Sequence, residues 1–502
     1  MLRHISKRQD YLSFKESGKE KLSASDLLRL ESGKYKSASN KMDSLEPERA
    51  EELLLSCYSQ VTGRPANDPT IYIRSFLLML HMSYTSVDEW ISAARSDILL
   101  QYLVGTWEIP PVACHYDFIN RITGADPHLN ELYPKSKNFR EVKAQIKAAK
   151  LKKGEKWENF DDDDTQKLKK KYWDDASCDS ERWTLVLERL FDLLAVRPSY
   201  DRFVYEEDEL ILSGDGSALH IHSSPHGHHV ENPPDDQHTH RYTAPDADLG
   251  WDSHEGVVYL GFTLYTLSLH LKSPATDLPK FIAQRTASQH DSLTTITATA
   301  HMLDVNPLLL AKYMCFDSAS DAAHIHQFLR HRGAIPIIDW NPRHTDPENP
   351  YAKHPIKNSL KDADGNLLEH LNEKGVPVCA CGIEMIRDGY DTSKMATKYR
   401  CPFVMGRIES CPFSSQCTDS SYGRVIKTYD RTDYKLFGPV PHGSDEWKEI
   451  YKNRTCTERI NNRILNDYNV QNLTCRNGSK HFFFSIMAEI NIHLDAWQKV
   501  AA

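Results

Sequence analysis

Tyr313-Met-Cys-Phe-Asp317-Ser-Ala-Ser-Asp321, with His324-Ile-His-Gln-Phe-Leu-Arg-His331 and Ala334-Ile-Pro-Ile-Ile-Asp339 after it, decides the fold class of this chain. The first run is short, apolar and ends in an acid, as a buried strand does. The second reads as a helix, and the third is a strand rich in β-branched residues. Working outward, Glu209-Leu-Ile-Leu-Ser-Gly-Asp215-Gly-Ser is another apolar strand that ends in an acid and a glycine. The long β-branched and aromatic run Gly256–Leu269 reads as two strands, and Ser292–Leu303 as a helix. Strand-helix-strand alternation after a hairpin predicts an α/β protein with a mixed sheet.

A late helix completes the pattern: Tyr451-Lys-Asn-Arg454-Thr-Cys-Thr-Glu458-Arg459-Ile-Asn-Asn-Arg463-Ile-Leu-Asn-Asp-Tyr468. Ile460, Ile464 and Tyr468 fall on one stripe at four-residue spacing. Tyr451, Arg454 and Glu458 run up another face. The plain reading is an exposed, salt-bridged helix. The functional reading joins Glu458 to two matching acids upstream. Asp215 and Asp317 each end a strand, and neighbouring strands would set them side by side. With Glu458 they make a three-carboxylate cup of hard oxygen ligands suited to Mg²⁺ or Mn²⁺. Such a site performs phosphodiester chemistry. Residues 451–480 hold six Lys/Arg against two acids, so this face is basic in a chain of net charge -9.

These three contexts together resemble the DDE transposases of bacterial insertion sequences. The match rests on the strand-Asp215-Gly-Ser turn, on Phe316-Asp317-Ser-Ala-Ser-Asp321 with the stretch running to Arg343, and on Tyr451-x-x-Arg454-x-x-x-Glu458. The last has the spacing of that family's Tyr-Arg-Glu-Lys signature. Gly63-Arg-Pro and His115–Arg121 also look like the N-terminal domain of such proteins. The resemblance covers roughly residues 50–125 and 205–500. It implies an RNase H-like core with Asp215, Asp317 and Glu458 as catalytic Mg²⁺ ligands, and phosphate contacts from Tyr451 and Arg454. Arg459 and Arg463 are expected to add DNA contacts. The family's lysine would fall at Leu465, and Ser320 stands where a tyrosine is usual. Asp321 is expected as a helix cap or a group behind the site. The acids of Asp246–Glu255 also resemble this group and are expected as loop residues bordering the site.

The expected layout is a polar arm over 1–46, a helical DNA-binding domain over 47–129 and a charged linker or helical insertion over 130–200. The catalytic core follows at 201–345, a Cys-containing insertion at 346–440, and the closing helices of the core at 441–502. Ser86 reads as a helix cap, and Pro69 sits near a first turn. Residues 135–171 carry 13 Lys/Arg against seven acids, four of them the run Asp161–Asp164, which reads as solvated. Eleven cysteines without a secretion signal favour reduced thiols. Cys381, Cys401, Cys411 and Cys417 are candidate ligands of a structural zinc ion, with Cys379 close to Cys381 in claim; free core thiols are the alternative. The histidines from His220 to His240 form either a second zinc site, with His226, His228, His238 and His240 the favoured set, or a polar loop facing DNA.

No run of about 18 apolar residues occurs, which predicts no membrane span. A cytoplasmic protein is expected. The function expected is cut-and-paste DNA transposition on double-stranded DNA by a chain that pairs as a homodimer during synapsis. A metal-dependent nuclease of the same fold and a catalytically silent DNA-binding protein are the alternatives.

Overall fold

The computed structural model describes residues 2–59, 61, 63–124, 160–170, 181–203, 210–229, 231, 240–244, 246–273, 275–289, 291–306, 311–341, 354–356 and 358–501. Its main sheet has six strands: β1 Ile211–His220, β2 Asp248–Asp252, β3 Val257–Lys272, β4 Ala275–Thr286, β5 Tyr313–Phe316 and β6 Ile335–Ile338. The order is β4-β3-β1-β5-β6, with β2 paired to the first residues of β3. β3 runs antiparallel to β1, β2 and β4, whereas β5 and β6 extend the sheet in parallel from β1. The chain is therefore mixed α/β, as the alternation of apolar runs predicts.

The run from Gly256 does not break into two strands. Val257–Lys272 is one strand, nearly continuously buried, because it is covered on both faces and needs no alternation. Its partner β4 is absent from the sequence reading. Pro279, Lys280, Gln284 and Arg285 interrupt its apolar period. A register shift between Leu267 and Ser268 lets β4 pass Pro279 and Lys280 without losing the pairing on either side.

Five helices matter for the site: α1 Pro69–His81, α2 Asp291–Val305, α3 Ala323–His331, α4 Thr455–Asn462 and α5 Gly478–Ala501. α2 leads from β4 to β5, and α3 from β5 to β6. α1 begins with Pro69, and Asp68 accepts a hydrogen bond from the Thr70 amide. Ser86 likewise caps the helix Val87–Ser96. The expected helix over 451–468 is a bent series: a turn at Lys452–Arg454, then α4, then a wider turn at Arg463–Asp467. α5 is buried on most sides, with Phe482, Phe483, Phe484, Ile486, Met487 and Ile490 all in the core. It lies against β4, α1 and the helix Glu181–Phe191.

Packing of α5 joins the N-terminal helices to the sheet. A single apolar cluster runs from Leu2 to Trp497, so the N-terminal helices and the sheet share one core. Residues 2–46, expected as a polar arm, are largely helical. They form the helices Arg8–Gly18, Ala24–Leu30 and Gly33–Ser44. Their polar composition hides a one-sided set of buried residues, among them Ile5, Tyr11, Ala38 and Met42. Lys41 is buried and bonded to Asp495 of α5 at 2.8 Å. Most of the charged stretch 125–180 lies outside the described residues, Cys178 included. Within it, Asp161 caps the helix Asp162–Lys169, and Asp162, Asp163 and Asp164 sit in its first turn, where the helix dipole favours acids.

The insertion carries a three-stranded sheet, β7 Ile386–Asp391, β8 Ala396–Arg400 and β9 Val425–Tyr429. Its own small core contains Ile356, Cys379, Met385, Tyr399 and Ile426. Arg330 of α3 holds Asp430 at 3.0 Å, and Lys435 holds Asp321 at 2.7 Å, which fastens the insertion to the sheet.

Candidate active site

The parallel register of β1 and β5 brings two of the three expected acids together. Ser213 lies opposite Cys315, and the same offset carried two residues on sets Asp215 beside Asp317. Gly214, between Ser213 and Asp215, admits no side chain. A Cβ there would lie 2.6 Å from both Leu267 and Phe316. Asp317 leaves the end of β5 and accepts a hydrogen bond from the Ala319 amide at 3.1 Å, so its carboxylate direction is set by the turn that follows.

Glu458 arrives on α4, which is seated by hydroxyl groups rather than by apolar contact alone. Thr457 donates to the Ser213 carbonyl at 3.0 Å, and its hydroxyl also meets those of Ser213 and Ser268. All three side chains are buried, and Cys456 lies 3.0 Å from the Ser213 hydroxyl. The residue before Glu458 is thus bonded to the residue two before Asp215. Sequence reading passed over these hydroxyls. Their one signal is that small polar residues interrupt otherwise apolar positions of β1 and β3.

Arg454 occupies the space between the acids. It pairs with Glu458 and reaches to 3.7 Å from Asp215 Oδ2. Burial, the neighbouring Asp317 charge and the more distant Asp291 and Glu458 raise the Asp215 pKa to about 7, and Arg454 opposes the rise. Burial works against the Arg454 charge, but Tyr451, Glu458 and Asp215 outweigh it and hold the guanidinium protonated. Tyr451 stacks on Trp447 with ring centroids 4.5 Å apart, and burial lifts its phenol to about 12.

A fourth acid belongs to this neighbourhood. Asp291 opens α2, and a Cβ on Gly216 would lie 2.7 Å from its Oδ1. Gly216 follows Asp215 directly, so only glycine leaves room for that carboxylate. The sequence reading starts this helix at Ser292 and does not single out Asp291, which as an acid at a helix start carries no signal of its own.

The other expected DNA contacts are engaged within the chain. Arg459 makes a two-pronged ion pair with Asp277 at 2.6 and 2.8 Å. Arg463 holds Asp495 at 2.6 Å, in the group that includes Lys41 and Tyr468. Asp321 does not cap α3, whose first residue follows Ala322. It is buried against Lys435 and accepts from the Asn341 amide at 2.9 Å. Away from the acids, an open groove of about 1160 Å³ runs over the N-terminal helices. Arg64, Arg95 and Arg121 line it with Tyr58, Tyr72 and Trp107, so the Gly63-Arg-Pro and His115–Arg121 stretches face the same space.

Among the described residues, one group of ligand-type side chains draws its ligand atoms within 4.8 Å of one another: His220, Asp252 and Glu255. His220 Nε2 is 2.9 Å from Asp252, which also accepts from the amides of His254 and Glu255. Hydrogen bonds account for this arrangement as a turn anchored on Asp252. Asp215, Asp317 and Glu458 stand further apart, with Arg454 among them. Of the favoured histidine set, His226 and His228 are exposed, His238 lies outside the described residues, and His240 is described only in its backbone.

No protein-family model matches the chain, and no curated protein shows significant similarity to it.

Proposed function

We propose that the chain is a DDE-type DNA transposase with an RNase H-like core, in which Asp215, Asp317 and Glu458 form the catalytic cup. The observation that carries this reading is the register of β1 and β5 together with the seating of α4. Acids from residues 215, 317 and 458, separated by more than a hundred residues each, converge on one sheet end. An RNase H-like core calls for a first strand at the centre, flanked by antiparallel partners on one side and two parallel strands on the other. The order β4-β3-β1-β5-β6 has that form.

The donor set fits a divalent ion. Its oxygens are hard; burial first, and then the neighbouring Asp317 charge, lift Asp215 to about 7, while a resident arginine offsets part of the rise. A bound Mg²⁺ or Mn²⁺ would supply charge neutralisation at the phosphate and a more acidic attacking oxygen. The protein's part is to hold the three carboxylates on rigid elements, through the strand pairing, the Asp317 turn and the Thr457 hydroxyl. Arg454 pairs with Glu458 and lies 3.7 Å from Asp215, and its guanidinium geometry suits a phosphate oxygen as well as a carboxylate. The arginine- and aromatic-lined groove supports DNA binding by the N-terminal helices.

The test is strand cleavage of DNA carrying the repeats that flank the encoding locus, with Mg²⁺ or Mn²⁺, by wild type and Glu458→Gln. Cleavage at the repeat boundary by wild type and none by the variant is expected. Joining of the cut end to a second DNA distinguishes a transposase from a nuclease. Equal cleavage by both proteins removes Glu458 from the site. Binding without cleavage by either leaves a DNA-binding protein only.

A further inference from the structure

Cys381, Cys401, Cys411 and Cys417, the expected zinc ligands, are free thiols, and among the described residues no three cysteine sulfurs lie within 4.8 Å of one another. An unused hydroxyl lies beside the acids instead. Thr266 of β3 stands directly opposite Asp215 of β1, as Ser268 stands opposite Ser213. Opposed residues of an antiparallel pair share a face, and so do residues two apart on one strand. All four side chains are therefore on the face that α4 covers through Thr457. The Ser213 and Ser268 hydroxyls are used, since each meets that of Thr457. On the opposite face the Tyr265 hydroxyl donates to Thr295 at 2.9 Å, and Thr295 lies 3.1 Å from the Ser320 hydroxyl in the turn after Asp317. Thr266 differs from all of these. It is fully buried, and its Oγ1 has no hydrogen-bond partner among the described residues.

A hydroxyl in that position weakens a fold, and a valine of the same shape would not. An orphaned polar atom at a cluster of metal-binding acids calls for a functional account. The carboxylate across the ladder supplies one. Asp317 is oriented by the Ala319 amide at 3.1 Å. Asp215 has no hydrogen bond to its carboxylate among the described residues. Its neighbour is Arg454, 3.7 Å from Oδ2, and that guanidinium is shared with Glu458. A carboxylate has room for about four hydrogen bonds. Cross-strand partners hold their Cβ atoms about 4.5–5.5 Å apart, a span that one hydroxyl-to-carboxylate hydrogen bond bridges.

We propose that Thr266 is a positioning residue of the cup: its hydroxyl donates to the Asp215 carboxylate when the acids hold a divalent ion, and so fixes the oxygen that faces the ion. Carboxylates that ligate metals are themselves held by hydrogen bonds from a second layer of groups, and β3 offers Thr266 for that place. The inference rests on Asp215 being a metal ligand, as the proposed function has it, but not on what the site does to DNA. The hydroxyl acts with opposite signs on the stability of the ion-free fold and on metal affinity. A residue that only packs the core moves both in the same direction.

The experiment compares the full chain as wild type, Thr266→Val and Thr266→Ser. Urea unfolding in the presence of a chelator reads the fold, and calorimetry with Mn²⁺ and no DNA reads the cup. Thr266→Val is expected to unfold at the wild-type urea midpoint or above it, and to bind Mn²⁺ about ten-fold more weakly. Thr266→Ser, which keeps the hydroxyl and loses the methyl, restores the affinity. A lower midpoint for Thr266→Val overturns the proposal, because it gives the hydroxyl a partner within the chain. Wild-type Mn²⁺ affinity in Thr266→Val overturns it too, as does a serine variant that binds as weakly as the valine one. A wild type that binds Mn²⁺ and cleaves no repeat-bearing DNA removes the transposase reading, while the calorimetry still decides the role of Thr266. A wild type that binds no Mn²⁺ overturns both.

Discussion

Glu489 offers the sharpest physical test of the fold. It lies on α5, fully buried, and among the described residues neither carboxyl oxygen has a hydrogen-bond partner. Burial alone pushes its pKa well above the usual glutamate value of 4.5. The folded chain therefore keeps a proton that the unfolded chain gives up above pH 4.5. The unfolded state binds fewer protons, so stability falls as pH rises, until the pH passes the folded pKa. Each pH unit in that window costs about 1.4 kcal/mol. From pH 5 to pH 7 the loss is roughly 2–3 kcal/mol, added to about 1–3 kcal/mol for leaving a buried carboxyl without a partner. Glu489→Gln keeps the shape and removes the titration. Glu489→Leu removes both the titration and the unpartnered polar group. Urea midpoints measured from pH 5 to pH 8 are expected to fall for the wild type relative to both variants, with the leucine variant the most stable at pH 7. Identical pH dependence in all three proteins, or variants weaker than wild type at pH 7, would refute the reasoning, because either requires a partner for the carboxylate.

Thr457→Val removes the hydroxyl that ties α4 to Ser213 and Ser268, and should cost about 1–3 kcal/mol while lowering cleavage more than DNA binding; unchanged cleavage in a folded variant means that Glu458 is held by other contacts. Asp495→Asn leaves the buried Lys41 ammonium uncompensated and should cost about 3–5 kcal/mol, read from thermal unfolding; a loss within the scatter of surface variants would show that the N-terminal helices are not locked to α5. Arg454→Gln removes a cation 3.7 Å from Asp215, so Mn²⁺ binding measured by calorimetry without DNA should tighten by about ten-fold, a net of about 1.4 kcal/mol after solvent screening of a larger gross attraction; weaker Mn²⁺ binding would mean that Arg454 supports the cup rather than competing for it.

What could be seen in the sequence, and what could not, divides along the range of the interactions. Asp317 and the α3 and β6 runs that follow it were legible because a local period of two or of 3.6 survives on one strand or helix. Ser86 was placed by chemistry within four residues. β4 was lost because Lys280 and Arg285 are buried polar groups, and a period count treats them as solvent-facing. Burial within the N-terminal arm escaped the reading for a related reason. Lys41 looks like a surface residue until Asp495, more than four hundred positions away, supplies its counter-charge. At the site, the acids were visible as residue types, but their surroundings were not. Asp291 joins Asp215 only because Gly216 leaves the space, and Arg459, though exposed, pairs with Asp277 only because β3, β4 and α4 are stacked as they are. The seating of α4 shows why such facts resist sequence reading. Ser213, Ser268 and Thr457 are each unremarkable, and apart they would weaken a strand or helix interior. Together they satisfy one another in the core, and the position of Glu458 follows from that mutual satisfaction rather than from any property of the helix that carries it.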